Sequence, residues 1–131
     1  MKLRRLHLVL GVVTVVVFLL TGQYLRIAQP GGTAPDSTVR YLFRANHVYI
    51  LLAGLPHLVL GRYLVLATAR WRRVVQRASS VLLCLSPAVL LAAFALEPPH
   101  PDPERPLTGL GVQLLFAGTL GHLVAAGRAP E

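Results

Sequence analysis

The chain has 131 residues, of which 54% are hydrophobic and 14% are charged, whereas soluble domains average roughly 25% charged residues. This balance excludes a disordered chain and argues against a water-soluble fold, and the length allows one domain. The formal net charge of +8 does not indicate nucleic-acid binding, because the basic residues interrupt apolar stretches instead of alternating with aromatic residues.

Four apolar stretches follow one another along the chain, each close to the roughly 20 residues that cross a hydrocarbon core as a helix. We predict spans at about residues 6–25, 45–66, 78–96 and 107–126. Backbone polar groups in lipid must pair within their own segment, so helices are expected rather than strands. The sequence therefore predicts an all-α fold, a single transmembrane domain built as a polytopic four-helix up-down bundle.

The segments between the spans carry turn residues and charges, and their charges predict the orientation. The basic residues that the predicted spans place on one side are Lys2, Arg4, Arg5, Arg62, Arg70, Arg72, Arg73, Arg77 and Arg128. Four of the five acidic residues, Asp36, Glu97, Asp102 and Glu104, fall on the other side. Because basic loops stay cytoplasmic, we expect a multi-pass protein of a bacterial inner membrane with both termini in the cytoplasm.

The segment 70–77 is expected to be a basic loop that ends the second span and contacts anionic lipid. Membrane lipids are the predicted partners, with other membrane subunits or further copies of the chain as additional ones. The single Cys84 lies in an apolar run and is interpreted as a small buried hydrophobe.

Small and polar residues form stripes at helical spacing, which predicts the faces that pack inside the bundle. The stripe of the first span includes His7, Gly11, Thr14 and Thr21, and that of the fourth includes Gly111, Gly118, Gly121 and His122. The second span has His47, Gly54 and Gly61 with His57 beside them, and the third has Ser80, Cys84, Ala88 and Leu91.

Histidines are the most informative residues, because ionisable side chains inside a membrane are costly and are often functional. Counted from the flanking arginines at about 1.5 Å per residue, His57 and His122 lie at one depth, while His7 is shallower. Two imidazoles at one depth are the arrangement of a bis-histidine haem b, with His7 as a substitute ligand. Pro56 is expected to kink the second helix and free a carbonyl near His57.

The glycines beside these histidines would leave room for a flat macrocycle, and Arg4, Arg62 and Arg128 are the candidates to pair the haem propionates. The sequence therefore indicates a haem-binding or redox-partner subunit. The alternative is a non-catalytic membrane protein or accessory subunit whose histidines only pack across helices. Enzymatic activity is not predicted, because the sequence has no grouping of nucleophile, base and acid and no phosphate loop.

A second polar concentration lies at the external ends of the first two spans. It comprises Gln23, Tyr24, Arg44, Asn46 and His47. Aromatic and basic residues at this level are ordinarily membrane anchors. The sharper hypothesis is a periplasmic pocket in which these residues hold an anionic or quinone-like ligand.

Three segments carry a resemblance to known proteins: Leu6-His7, residues 18–24 (FLLTGQY) and residues 44–53 (RANHVYILLA). Over about the first sixty residues the chain resembles an uncharacterised family of small four-helix inner-membrane proteins of Gram-negative bacteria. The resemblance implies the same topology and no particular activity. It singles out His7, Gln23, Tyr24, Arg44 and His47.

Overall fold

A computed structural model describes residues 2–28, 37–98 and 104–126 and shows four helices in this part of the chain. They are α1 (Lys2–Ala28), α2 (Ser37–Tyr63), α3 (Arg70–Leu96) and α4 (Pro106–Ala126). The described residues contain no strand. The predicted all-α helical bundle is therefore confirmed.

Two of the helices extend well beyond the predicted spans. The structure shows α2 beginning at Ser37 and α3 at Arg70, so the segment 70–77, which was expected to be a loop, is helical. That expectation was wrong because arginine is a good helix former and its long side chain lets a helix continue past the apolar layer. Helix α2 ends at Tyr63, three residues before the end of the predicted span.

The contacts between helices define an up-down-up-down bundle of two hairpins. Helices α1 and α2 pack along each other, as do α3 and α4, whereas α2 and α4 barely touch. His7 contacts His57 and Thr21 contacts His47, so α1 and α2 are antiparallel. His7 also contacts Ser80, which lies in the N-terminal half of α3, so α1 and α3 run in the same direction.

Glycines allow the two hairpins to close tightly. A methyl group at Gly61 would lie 2.7 Å from the backbone of Leu8 in α1, and one at Gly118 would lie 2.9 Å from the carbonyl oxygen of Ser79 in α3. Neither neighbour can move without shifting a helix, since the contacts are with backbone atoms. Small residues at helix crossings are typical of membrane bundles.

The distribution of polarity is the reverse of that of a soluble protein. Large apolar side chains such as Val13, Leu20, Phe116 and Leu123 are exposed on the outside, whereas much of the interior is polar. Fully buried polar side chains include His7, Asn46, His57 and Ser86. An apolar exterior around a polar interior is favourable where the surrounding solvent is hydrocarbon.

Three helices, α1, α3 and α4, are long and apolar enough to cross a membrane. Helix α2 has the same length as α1 and α3 but is not among these candidates, since Asn46, His47, Pro56 and His57 interrupt its apolar residues. Asn46 and His57 are completely buried, so these polar groups face the other helices. The chain is thus a helical membrane protein with three candidate spans among the described residues, and the fourth span, at about residues 45–66, stays a prediction.

Candidate functional site

Three histidines, each from a different helix, lie together near one end of the bundle. His7 of α1, His57 of α2 and His122 of α4 are 0%, 0% and 6% exposed, and Ser80 of α3 lies among them. We call these four residues the histidine centre. The ring centroid of His7 lies 4.9 Å from that of His57 and 5.8 Å from that of His122.

The structure places His7 between the other two histidines in a row of contacts, and the shallower depth predicted for His7 stays a prediction. Its Nδ1 is 2.8 Å from Nδ1 of His57, and its Nε2 is 3.0 Å from Oγ of Ser80. Arg4, in the same turn, donates from Nε to the carbonyl oxygen of Gly61 at 3.3 Å. Long basic side chains do not fix the depth of their own backbone.

The hydrogen bonds continue on both sides of His7. Ser80 Oγ lies 3.1 Å from Nε2 of His122, and Nε2 of His57 lies 3.0 Å from the carbonyl oxygen of Leu83. The Leu83 carbonyl is available because its normal helical donor would be Pro87, which has no N–H. The carbonyl that His57 uses is therefore freed by Pro87 of α3, and the kink and free carbonyl expected at Pro56 stay a prediction.

When the rings are neutral, the Leu83 carbonyl determines which nitrogen of each imidazole in this row of hydrogen bonds carries the hydrogen. A carbonyl oxygen only accepts, so His57 carries its hydrogen on Nε2 and presents Nδ1 as an acceptor. His7 must then donate from Nδ1 and accept at Nε2 from the hydroxyl of Ser80. Ser80 in turn accepts from Nε2–H of His122. All donors point in one direction, from His122 towards Leu83.

Cys84, one turn beyond Ser80 on α3, completes a possible metal-binding group. One ring nitrogen each of His7 and His57 and the Sγ of Cys84 lie within 4.8 Å of one another. The sequence reasoning treated this cysteine as an apolar residue and did not place it in a site. The signal was its position four residues after Ser80, which puts both side chains on one helix face.

Haem ligation by His57 and His122 stays a prediction, and the spaces expected to receive the macrocycle are occupied by neighbouring helices. A methyl group at Gly54 would contact Thr14 at 3.2 Å, and the positions beside Gly61 and Gly118 are closed as described above. Of the arginines expected to pair the propionates, Arg4 donates to Gly61 and Arg62 is exposed. Arg128 lies outside the described residues.

The five residues of the expected periplasmic pocket lie on different sides of the bundle. Gln23, Tyr24 and Arg44 are exposed. His47 stacks on Phe18 at 4.1 Å between ring centroids, and its Nδ1 is 2.9 Å from Oγ1 of Thr21. Asn46 is completely buried and faces α3 and α4. The hypothesis of a shared ligand stays a prediction, with His47 and Asn46 already bound to protein partners.

Asn46 belongs instead to a polar cluster that the sequence did not reveal. It donates from Nδ2 to the carbonyl oxygen of Ala93 at 3.0 Å, and its Oδ1 receives Arg105 and, at 2.9 Å, the hydroxyl of Thr108. We call Asn46, Glu97, Arg105 and Thr108 the end clasp. It joins α2 to the turn between α3 and α4, at the end of the bundle opposite the histidine centre.

Glu97 anchors the end clasp to the start of α4. Its Oε1 accepts the backbone N–H groups of Leu107 at 2.7 Å and Thr108 at 3.0 Å, which are donors that the first turn of a helix leaves without partners. Its Oε2 contacts the hydroxyl of Thr108 and lies 3.8 Å from Nε of Arg105. A carboxylate at a helix N-terminus is also favoured by the helix dipole.

Comparison with known proteins adds no family to this description. The chain matches no protein-family model, no curated protein and no solved structure. The resemblance of its first sixty residues to inner-membrane proteins stays a prediction, and the histidine centre is the feature of the molecule with the most specific chemistry.

Proposed function

We propose that this chain is an integral protein of a bacterial inner membrane that binds a transition-metal ion between His7, His57 and Cys84. Two observations carry the proposal: the buried Nδ1 atoms of His7 and His57 lie 2.8 Å apart, and one ring nitrogen of each lies within 4.8 Å of Sγ of Cys84. Imidazole and thiolate together select ions such as Zn²⁺ or Cu⁺ rather than Mg²⁺ or Ca²⁺. The chain would serve as a metal-holding or redox-partner subunit.

The metal ion would take the place of the hydrogen that His7 and His57 share. Two nitrogens bound to one ion at about 2.0 Å in tetrahedral geometry are about 3.3 Å apart. The rings would therefore separate by about 0.5 Å and turn so that both Nδ1 lone pairs point at the ion. Cys84 would supply the third ligand as a thiolate.

The second ring nitrogens support this assignment. Metal-binding histidines normally use their other nitrogen to hydrogen-bond a carbonyl, a carboxylate or water, which fixes the orientation of the ring. His57 meets this requirement through Leu83 and His7 through Ser80. Both rings are thus held in orientations that direct Nδ1 to the same point.

The distribution of charge supports an orientation with both termini in the cytoplasm. Among the described residues, the end with the histidine centre carries eight basic residues: Lys2, Arg4, Arg5, Arg62, Arg70, Arg72, Arg73 and Arg77. The opposite end carries four, Arg26, Arg40, Arg44 and Arg105, with Glu97 and Glu104. Under the positive-inside rule the first end is cytoplasmic.

Fusions at the C-terminus test this orientation. A green fluorescent protein fused there should fluoresce, and alkaline phosphatase fused there should be inactive. The reverse pattern would contradict this orientation.

The metal proposal is tested by elemental analysis of protein purified in detergent without a histidine tag. We expect zinc or copper in the wild-type chain, retained through dialysis. His57→Gln and Cys84→Ala should each lower the metal content at least tenfold. His47→Gln is the matched control, because it removes a half-buried histidine of the same helix that lies outside the site.

The outcomes separate the metal ion from the other hypotheses. A wild-type protein that carries no metal and takes up none on addition would show the proposal to be wrong, leaving the histidines as packing groups. An intense Soret absorption lost in His122→Ala would favour haem ligation instead. Equal metal content in the wild type and in both site variants would place the metal elsewhere in the molecule.

A further inference from the structure

A large apolar cleft opens beside the histidine centre, where α2 and α4 diverge. Its volume is about 860 Å³, and its lining includes Leu55, Val59, Phe116, Leu123 and His122. Several of these side chains are also exposed on the outer surface of the bundle, Val59 at 57% and Leu123 at 64%. In a membrane the cleft is therefore continuous with the hydrocarbon phase.

The wall of the cleft is preformed, because polar contacts hold the linker between α2 and α3 in place. Gln76 of α3 donates to the carbonyl oxygen of Val65 at 3.0 Å and accepts the backbone N–H of Ala67 at 2.9 Å. Arg73 donates to the carbonyl oxygens of Ala67 and Thr68. A cleft with a fixed wall is a better ligand site than one that must form on binding, since less ordering entropy is lost.

His122 gives this apolar cleft a hydrogen-bonding group at depth. It lines the cleft, its Nε2 faces Ser80, and Nδ1 is the nitrogen left to a ligand. The other polar side chains at this level serve the protein itself: Thr119 donates to the carbonyl oxygen of Leu115, and Gln76 holds the linker. The ligand expected in this cleft is therefore neutral and largely apolar, and it carries an oxygen that can hydrogen-bond to the imidazole of His122.

We infer that the cleft binds the head group of an isoprenoid quinone that enters from the lipid phase. A quinone carbonyl can accept from Nδ1–H of His122, and the hydroxyl of the corresponding quinol can donate to Nδ1 when the hydrogen is on Nε2. Both redox forms thus find a partner in one of the two neutral tautomers of His122. The isoprenoid tail extends along the apolar walls and out between α2 and α4.

A phospholipid fits the cleft less well than a quinone. Its phosphate would pair with Arg72, which lines the cleft eight residues before Ser80 and hence about 12 Å away along α3. The His122 ring would then face an acyl chain, which offers no hydrogen bond and leaves a polar group desolvated. A quinone head group next to His122 avoids this loss.

The inference does not depend on metal binding, but metal binding would change which form is preferred. With Nδ1 of His7 on a metal ion, His7 Nε2 carries the hydrogen and donates to Ser80, and Ser80 then donates to Nε2 of His122. His122 presents Nδ1–H to the cleft in that state, which matches a quinone. The metal-free arrangement, with Nε2–H on His122, matches a quinol.

The test uses the full chain in detergent, a ubiquinone with a decyl tail as probe, and two tryptophan variants of α4. Leu123→Trp fills the cleft, whereas Leu120→Trp adds the same side chain at a position 57% exposed that does not line the cleft. We expect saturable binding of the probe to the wild type and to Leu120→Trp by calorimetry. Leu123→Trp should bind at least tenfold more weakly.

A second variant tests the hydrogen bond to the head group. His122→Phe keeps an aromatic ring and should weaken binding about tenfold, the expected effect of losing one hydrogen bond at a buried site. Circular dichroism shows whether this variant folds; the tryptophan pair decides the question if it does not. Equal affinity in all variants, no saturable binding to the wild type, or release of phospholipid alone on solvent extraction of the purified wild type would overturn the inference.

Discussion

Polar groups are buried at both ends of the bundle, but the two ends pair them in different ways. The histidine centre uses neutral groups, each of which can donate one hydrogen bond and accept another. The end clasp uses a carboxylate and a guanidinium, and it lies where the helices end and Arg105 is still 21% exposed. Charge is placed where water is near, and neutral hydrogen bonds are placed deeper. The end clasp joins α2 to the start of α4, whereas the histidine centre carries the groups on which the proposed function rests.

The largest effect on stability is expected at the end clasp. Glu97→Ala removes the acceptor of two backbone N–H groups and leaves Arg105 without its carboxylate. We expect the free energy of unfolding to fall by about 3 kcal/mol, because two backbone N–H groups lose a charged acceptor. Denaturation in mixed micelles followed by circular dichroism measures this loss.

Glu97→Gln is the control for this experiment. Its amide oxygen can still accept from α4 while the charge is lost, so the loss of stability should be smaller than in Glu97→Ala. Metal content and quinone binding should be unchanged in both variants once they are folded. A larger effect on metal binding than on stability would show that the two ends are not separate in function.

The packing of α1 against α2 near the histidine centre is tight enough that one added methyl group should lower the stability of the fold. Gly61→Ala places a carbon 2.7 Å from the backbone of Leu8, which forces α1 and α2 apart and should destabilise the fold by about 2 kcal/mol. The same measurement applied to Gly109→Ala should give the opposite sign, because nothing lies within 4 Å of that position. Alanine there should stabilise α4 by about 0.5 kcal/mol. No loss of stability in Gly61→Ala would contradict the close packing described for α1 and α2.

A smaller loss of stability than in Glu97→Ala or Gly61→Ala is expected from Ser80→Ala, which breaks the row of hydrogen bonds between His7 and His122. The loss of stability should be about 1 kcal/mol. Nitrogen-15 NMR of the imidazoles offers a sharper measurement. His57 should keep its hydrogen on Nε2 because Leu83 is unaffected, whereas the signals of His7 and His122 should both change. A change at His57 alone would show that the hydrogen positions are assigned wrongly.

The sequence predicted many of the buried helix faces, because small and polar residues are concentrated on the inner faces of membrane helices. On α1 the stripe of His7, Gly11, Thr14 and Thr21 is buried as expected, and on α4 so are Gly111, Gly118 and His122. On α3 the predicted face was rotated, since Ala88 and Leu91 are exposed while Ser79, Ser86 and Leu90 are buried. Leucine is as stable in lipid as in the core, so its position in a sequence does not reveal which way it faces.

The site was harder to predict than the fold, for reasons that are also physical. Three of the five histidines meet in one centre, and the depth count from arginines could not show that His7 lies between the other two. The end clasp is formed by residues far apart in sequence, since Asn46 meets Thr108, and no local pattern encodes such a contact. Only the packing of all four helices brings these side chains together.

The carbonyl of Leu83, which Pro87 leaves without its helical donor, has a consequence for what can move through this protein. A proton that enters at His122 and passes by way of Ser80 and His7 would arrive at His57, where the next atom is an amide oxygen that cannot hand a proton onward. A proton that reaches His57 along this row of hydrogen bonds therefore returns by the same groups. This row of hydrogen bonds is therefore suited to holding a proton at His57, and not to passing one beyond it.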